Sequence, residues 1–382
     1  MRFIHTADWH LGRIFHDVSL LDDQRHALEQ LIAEIEQRKP DAVIIAGDVY
    51  DKAIPPEGAI HLLEDFIHRV GGHLGVPIIM ISGNHDSGAR LSFASSLLAK
   101  ANIHIIGKTT LAIRPVILHD EHGEIYFYPL PYLSPLAARS FYQDSEIKSH
   151  QDVIQRQVDD ILKDHPQEKR SVLILHEFVI GAEESESERL LTVGGASHIE
   201  AGVISAFDYV AMGHLHRPQA TGLEHIRYSG SLLKYSFSEV NHSKGVTEVV
   251  FNAAGFERAE HIAIKPLRDM RILRGKLDKL LQEASIDPRP DDFICAELLD
   301  DGVVYEPMRR LKEAYPNVLE TRRLIKANHE GINTEKSFHE LHRQDVTELF
   351  DAFYHHVTGN PLNESQQQFV TSLVEELSHT NS

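Results

Sequence analysis

The 382-residue chain has a single cysteine, Cys295, which excludes an intrachain disulfide and fits a reducing compartment. No apolar run reaches the roughly 18 residues of a membrane helix, and the opening MRFIHTADWH lacks the apolar stretch of a secretory signal. The expectation is therefore a cytoplasmic protein that does not enter a membrane. Basic residues are in short supply, 38 against 57 acidic, for a net charge of −19. That balance argues against a generic nucleic-acid binder, because neutralising phosphates takes clustered Lys and Arg. A polyanionic substrate would need bound cations, a local basic lip or a partner. No Gly-x-x-x-x-Gly-Lys-Ser/Thr loop is present, so ATP hydrolysis by this chain is not expected. Helix-turn-helix and zinc-finger patterns are missing too, so any DNA contact should be backbone-directed.

What the chain has in excess is histidine, 26 residues. Imidazole is the commonest side-chain metal ligand, although many of these histidines must be ordinary surface or packing residues.

The first 260 residues alternate apolar runs with amphipathic stretches. Strands are expected at 2–6, 42–46, 77–81, 103–106, 111–118, 125–128, 172–175 and 208–212, with helices at 22–38, 57–70, 90–100 and 151–163. This is an α/β pattern with later β-rich blocks, a layered sandwich of mixed sheets flanked by helices. From 265 a βαβαβ-like unit follows, then two amphipathic stripes. One comprises Phe338, Leu341, Val346, Leu349, Phe350 and Phe353; the other Phe369, Val370, Leu373, Val374 and Leu377. They can pack on their own protein or receive a partner. The expected division is 1–264, 265–327 and 328–382.

Five polar clusters each follow a buried strand: Asp8-x-His10, Gly47-Asp48, Gly83-Asn84-His85-Asp86, His176 and Gly213-His214-x-His216. Carboxyl ends of strands in an open α/β sheet line one crevice, so five such clusters point to one shared site. Asp8, His10, Asp48, Asn84, His176, His214 and His216 offer four imidazoles, two carboxylates and an amide oxygen. That exceeds the needs of one ion and suits two, about 3.5–4 Å apart. Nitrogen and oxygen ligation without thiolate suits Mn, Fe or Zn. Individually, Asp-x-His and Gly-Asp are common in turns, and a lone histidine is usually structural; their joint order is what carries weight.

That ordered set resembles the calcineurin-like metallophosphoesterase superfamily. The flanking strings HTADWHLGR at 5–13, AGDVYD at 46–51, SGNHDS at 82–87, MGHLHRPQ at 212–219 and YSGSLLKYSFSE at 228–239 are similar to SbcD-type bacterial nuclease subunits. The resemblance implies a pair of divalent ions, Mn foremost. One would be held by Asp8, His10, Asp48 and His216, the other by Asp48, Asn84, His176 and His214, with Asp48 bridging. It implies hydroxide attack on phosphorus in line, with His85 assisting and Asp86 orienting His85. It further implies double-strand 3′–5′ exonuclease and single-strand or hairpin endonuclease activity, a homodimer, an SMC-type ATPase partner, and a place in DNA recombination, repair and replication near the nucleoid. Relatives carry a second catalytic histidine where this chain has Asp51, so that role is not transferred. Arg13, Lys52, Arg90, Arg217 and Lys234 lie near ligand elements and are candidates for substrate contact, or simply solvated charge. The alternatives are a phosphoesterase for nucleotides or small phosphodiesters, and a non-catalytic assembly subunit.

Overall fold

The computed structural model describes residues 1–188, 198–300, 304–323, 350–351, 354–355, 359 and 361–380. Residues 1–324 form one compact unit and 325–382 a second.

The first unit is built on strands β1 (Arg2–Thr6), β2 (Ala42–Ala46), β3 (Ile78–Ile81), β4 (Ile103–Ile106), β5 (Val116–Asp120), β6 (Gly123–Leu130), β7 (Arg170–His176), β8 (Tyr209–Gly213), β9 (Gln219–Ala220), β10 (Ile226–Tyr228), β11 (Gly245–Asn252) and β12 (Gly255–Ala263). They make two six-stranded sheets, ordered β12-β11-β1-β2-β3-β4 and β9-β10-β8-β7-β6-β5. β1 to β4 run parallel, as do β6, β7, β8 and β10; the remaining pairings within the two sheets are antiparallel.

Alternation along the strands explains the layering. In β2, Ala42, Ile44 and Ala46 face the second sheet, while Val43 and Ile45 face a helical layer; in β7, Val172 and Ile174 point inward, Leu173 and Leu175 outward. Both faces are covered, so these strands read as unbroken apolar runs rather than alternating ones. The inter-sheet core gathers Phe3, Ile79, Phe127, Tyr209 and Phe251, each buried and each contributing about 1.5–3 kcal/mol. Helices α1 (Leu21–Arg38) and α2 (Glu57–Ile67) cover the first sheet, and α3 (His150–Asp164) the second. The result is the expected layered α/β sandwich.

Three local expectations differ. The helix at 90–100 is broken into single turns at Gly88–Leu91 and Ser95–Leu98. The Ser92 hydroxyl bonds to the Gly88 carbonyl (2.7 Å) and receives the Gly107 N–H (3.0 Å), and Ala94 turns to φ +59°, so the helix cannot propagate. The helix from Glu57 ends at Ile67 and passes into a wider π turn, His68–His73, around Gly71 and Gly72. The strand expected from 111 begins only at Val116, after Pro115.

Beyond β12, strands β13 (Met270–Gly275), β14 (Phe293–Leu298) and β15 (Val318–Arg323) form a parallel three-stranded sheet with helices α4 (Leu277–Ala284) and α5 (Pro307–Ala314) between them. Met270, Phe293 and Cys295 join the apolar cluster beneath α1, and Arg268 pairs with Asp23 on that helix. In the second unit α6 (Glu364–Thr380) starts at a reciprocal cap, Gln366 N–H to Asn363 Oδ1 (2.9 Å) and Asn363 N–H to Gln366 Oε1 (3.0 Å). Of the first stripe, Phe338, Leu341, Val346, Leu349 and Phe353 lie outside the described residues. No helix among the described residues is long and apolar enough to cross a membrane.

Candidate metal centre

All five clusters fall at carboxyl ends of strands, but across two facing sheets rather than around one open sheet. β1, β2 and β3 deliver Asp8/His10, Asp48 and Asn84/His85; β7 and β8 deliver His176 and His214/His216.

The loop after β1 runs beside the loop after β2: Asp8 N–H donates to Gly47 O (3.1 Å), His10 N–H to Asp48 O (3.0 Å) and Leu11 N–H to Val49 O (2.9 Å). Trp9, between the two ligands, turns into the core against Phe66 and donates to Thr6 Oγ1 (2.8 Å). This divergence gives Asp-x-His its spacing: the middle residue anchors while its neighbours face the site. Asp8, His10, Asp48 and His214 all have positive φ, at 53°, 44°, 48° and 101°. Such conformations cost non-glycine residues free energy and persist where the surroundings over-determine them.

Asp48 stands at the centre. Its Oδ2 lies 3.4 Å from His176 Nε2, 3.7 Å from His10 Nε2 and 3.9 Å from His85 Nε2, while its Oδ1 accepts the His85 backbone N–H (2.9 Å). The His176 Nδ1–H donates to Ala46 O (2.9 Å), and Nε2 faces Asn84 Oδ1 at 3.0 Å. On the other side His10 Nε2 faces His216 Nε2 at 3.1 Å, and the Nδ1 of each ring faces an acceptor: Asp51 Oδ1 at 3.6 Å for His10, the Ser187 hydroxyl at 2.7 Å for His216. Two groups of potential ligand atoms thus meet around Asp48. Asp8, His10 and His216 can offer atoms within 4.8 Å of one another, as can Asp8, Asp48 and His176. His214 packs its ring against His176 (5.3 Å between centroids), and its N–H bonds both Asp8 oxygens (3.0 and 3.1 Å).

The electrostatics ask for positive charge. Burial raises Asp8 well above the usual carboxylate range, and Asp48 adds to this against the opposing pull of His176. Burial would raise Asp48 as well, but His176, His10 and His85 outweigh it and hold it well below. Burial lowers His10 and His214, and brings His216 down to about 3, keeping these rings neutral as ligation requires. His176 is opposed by burial yet pushed up to about 10, chiefly by Asp48. The donor set fits divalent ions on both sides of Asp48.

The role expected of Asp86 is corrected. Its carboxylate accepts Gly83 N–H (2.9 Å), Val49 N–H (3.1 Å) and Tyr50 N–H (2.9 Å), locking the Asn84 loop to the Asp48 loop. The His85 ring is instead oriented by its own Nδ1–H, which donates to the Asp51 carbonyl (2.8 Å). Among the basic candidates, Arg13 binds Asp51 Oδ1 (3.0 Å), Arg90 donates to Ala53 O (3.0 Å), Arg217 pairs with Glu183 and Lys234 with Asp269 (2.8 Å); Lys52 is exposed.

Sequence reasoning missed a buried support. Glu239 accepts the Ser187 hydroxyl, lies 3.4 Å from His216 Nδ1 and pairs with Lys244 at 2.5 Å, while Glu188 Oε1 receives the His216 N–H (2.7 Å). Glu239 closes the YSGSLLKYSFSE string, but no spacing rule marks it as a partner of His216.

A family model for calcineurin-like phosphoesterases matches residues 1–218, more than half of the chain. The chain belongs to the calcineurin-like phosphoesterase family. It is accordingly a metal-dependent phosphoesterase, and the His/Asp groups meeting at Asp48 could hold its ions. A second model, named SbcD_C and described as the type 5 capsule protein repressor C-terminal domain, matches residues 266–358. Among solved structures, TT1561 of Thermus thermophilus aligns at 10% identity with TM-score 0.40, over 69% of this phosphoesterase and 99% of that chain. A dimetal phosphatase from Danio rerio aligns at 12% identity, also with TM-score 0.40, over 69% of this chain and 99% of its own.

Proposed function

We propose that this phosphoesterase is an SbcD-like DNA nuclease subunit. It cleaves DNA phosphodiesters with two divalent ions, manganese foremost, as a double-strand 3′–5′ exonuclease and a single-strand and hairpin endonuclease. It acts with an SbcC-like SMC-type ATPase in recombination and repair, as a homodimer associated with the nucleoid. The observation that carries this reading is Asp48 Oδ2, set between His176 and His10 at 3.4 and 3.7 Å in a chain whose C-terminal part matches the SbcD_C model.

Asp8, His10, Asp48 and His216 would hold one ion, and Asp48, Asn84, His176 and His214 the other. Ions bound there lower the pKa of water and polarise phosphoryl oxygens. The protein's part is placement. The Asp51 carbonyl fixes Nδ1 of His85, so Nε2 is aimed over Asp48, where it hydrogen-bonds the phosphate and protonates the leaving sugar oxygen. Arg13, Arg90 and Arg217 are proposed to meet the DNA backbone. Residues 1–264 would be the nuclease domain, 265–327 a cap, and 328–382 the segment that captures the ATPase.

The test compares manganese-dependent cleavage of hairpin DNA and of bis-p-nitrophenyl phosphate, with and without an SbcC-type ATPase. Hairpin cleavage stimulated by ATPase and ATP is expected. Hydrolysis confined to the small diester would replace the nuclease with a phosphoesterase for nucleotides or small phosphodiesters. Inertness towards both substrates in manganese would favour an assembly role.

A further inference from the structure

A cavity of about 400 Å³ is lined by Ile106, Lys108, Thr110, Ile113, Arg114 and Leu130 among others. Strand register fixes its position. Ile106 of β4 pairs with Ile81 of β3, which leads into Asn84; Leu130 of β6 pairs with Leu175 of β7, the residue before His176. The cavity is thus lined by the carboxyl ends of the strands next to β3 and β7, which lead to Asn84 and His176, and these two residues touch at 3.0 Å. Ser82 ties the two places together: its hydroxyl donates to Gly107 O (3.1 Å), and its carbonyl accepts the Tyr132 N–H (3.0 Å).

The lining has two parts. Ile106, Ile113 and Leu130, with Pro129 and Pro131, make an apolar floor, and Lys108 and Arg114 stand exposed on the wall. Among the described residues neither cation has an ion-pair partner, whereas Arg13, Arg217 and Lys234 are each paired with a carboxylate. Both cations line the one cavity, in a chain of net charge −19. Their charge is available to an anion, and the floor suits a flat, partly apolar group.

We propose that this cavity is a subsite for one nucleotide unit, with Lys108 and Arg114 taking its phosphate and the apolar floor its base and sugar. It rests on the nucleic-acid reading above. The unit belongs to the strand that flanks the scissile phosphodiester; a free mononucleotide shares the chemistry and is separated by experiment. The consequence is that grip on the strand comes from this side of the centre, more than from Arg13 and Arg217.

The test uses the full chain in calcium and a short single-stranded oligothymidylate, followed by fluorescence anisotropy across a salt series. Lys108→Ala with Arg114→Ala is expected to weaken binding about tenfold. It should also flatten the log affinity–log salt slope by about 0.7, the contribution of one single-strand phosphate contact. Lys108→Arg with Arg114→Lys keeps both charges and restores the slope. Melting temperature and manganese stoichiometry check that each variant is folded. Equal affinity and slope in the alanine pair and the parent would overturn the subsite. If the parent does not bind the oligonucleotide yet hydrolyses bis-p-nitrophenyl phosphate, the nucleic-acid reading fails, and titration with thymidine monophosphate decides. Saturable binding lost in the alanine pair then keeps the cavity as a free-nucleotide site, and no binding removes it.

Discussion

Replacing Glu239 with glutamine is expected to separate the stability of the centre from its affinity for metal. The side chains of Glu239 and Lys244 are 0% and 4% exposed, with 2.5 Å between charged atoms. Lys244 also donates to His216 O (2.7 Å) and Ser231 Oγ (2.9 Å). Burial alone would raise the Glu239 carboxyl, but the Lys244 charge outweighs it and holds the carboxyl far below its usual range; burial pulls Lys244 down against the pull of Glu239. The pair is read as charged, because three acceptors surround the ammonium. Glu239→Gln leaves that ammonium buried without its counter-charge, at a cost of about 3–5 kcal/mol. It also removes the negative charge that orients the Ser187 hydroxyl and His216 Nδ1. Loss of such support behind a ligating histidine typically lowers metal affinity 10–100-fold, or about 1.4–2.8 kcal/mol. Adding Lys244→Met removes the stranded cation, so stability should largely return while the affinity stays low. Denaturant unfolding and manganese calorimetry on the parent, the single and the double variant read the two quantities separately. Parent-like manganese affinity in Glu239→Gln, or recovery of affinity together with stability in the double variant, would refute the reasoning.

Three further outcomes are expected. His85→Ala should keep both ions by calorimetry and lose about 10²–10⁴-fold in turnover of a diester with a poor leaving group; unchanged turnover would remove His85 from the chemistry. Gly213→Ala would place a Cβ 1.9 Å from Ala46 O and 2.7 Å from His176 Nδ1, so it should lower manganese affinity at least about tenfold, with parent-like binding as the contrary result. Asp120 accepts Arg170 at 2.6 and 2.8 Å and the N-terminal ammonium at 2.9 Å, and the Arg170 hydrogen bonds lead in holding its carboxyl far below 3.8. A depressed acid stabilises above its unfolded value and loses that contribution as pH falls through the folded one. Asp120→Asn should therefore cost about 2 kcal/mol at neutral pH and lessen the acid sensitivity below pH ~4; an unchanged acid slope would contradict this.

Much of the site could be read in the sequence because its chemistry is local. Unbroken apolar runs such as 42–46 and 172–175 mark strands covered on both faces, and each is followed by a polar group whose ordered recurrence points to one site. What could not be read depends on contacts between distant segments. Nothing local tells that Asp8, His10 and Asp48 adopt left-handed backbone, since that follows from the pairing of the 7–11 loop with the 47–50 loop. Nor does adjacency reveal that Asp86 serves backbone N–H groups while the Asp51 carbonyl holds His85. Glu239 reaches His216 only because the chain folds back after β10. The helix at 90–100 failed for a smaller reason: the Ser92 hydroxyl ties the Gly88 carbonyl to the Gly107 N–H, and Ala94 takes left-handed backbone.

The most direct measurement is anomalous diffraction from crystals of the full chain soaked in manganese. Two peaks are predicted, one bounded by Asp8, His10 and His216, the other by Asn84, His176 and His214, with the Asp48 carboxylate between them. A single peak away from Asp48, or strong peaks only outside this cluster, would contradict the account.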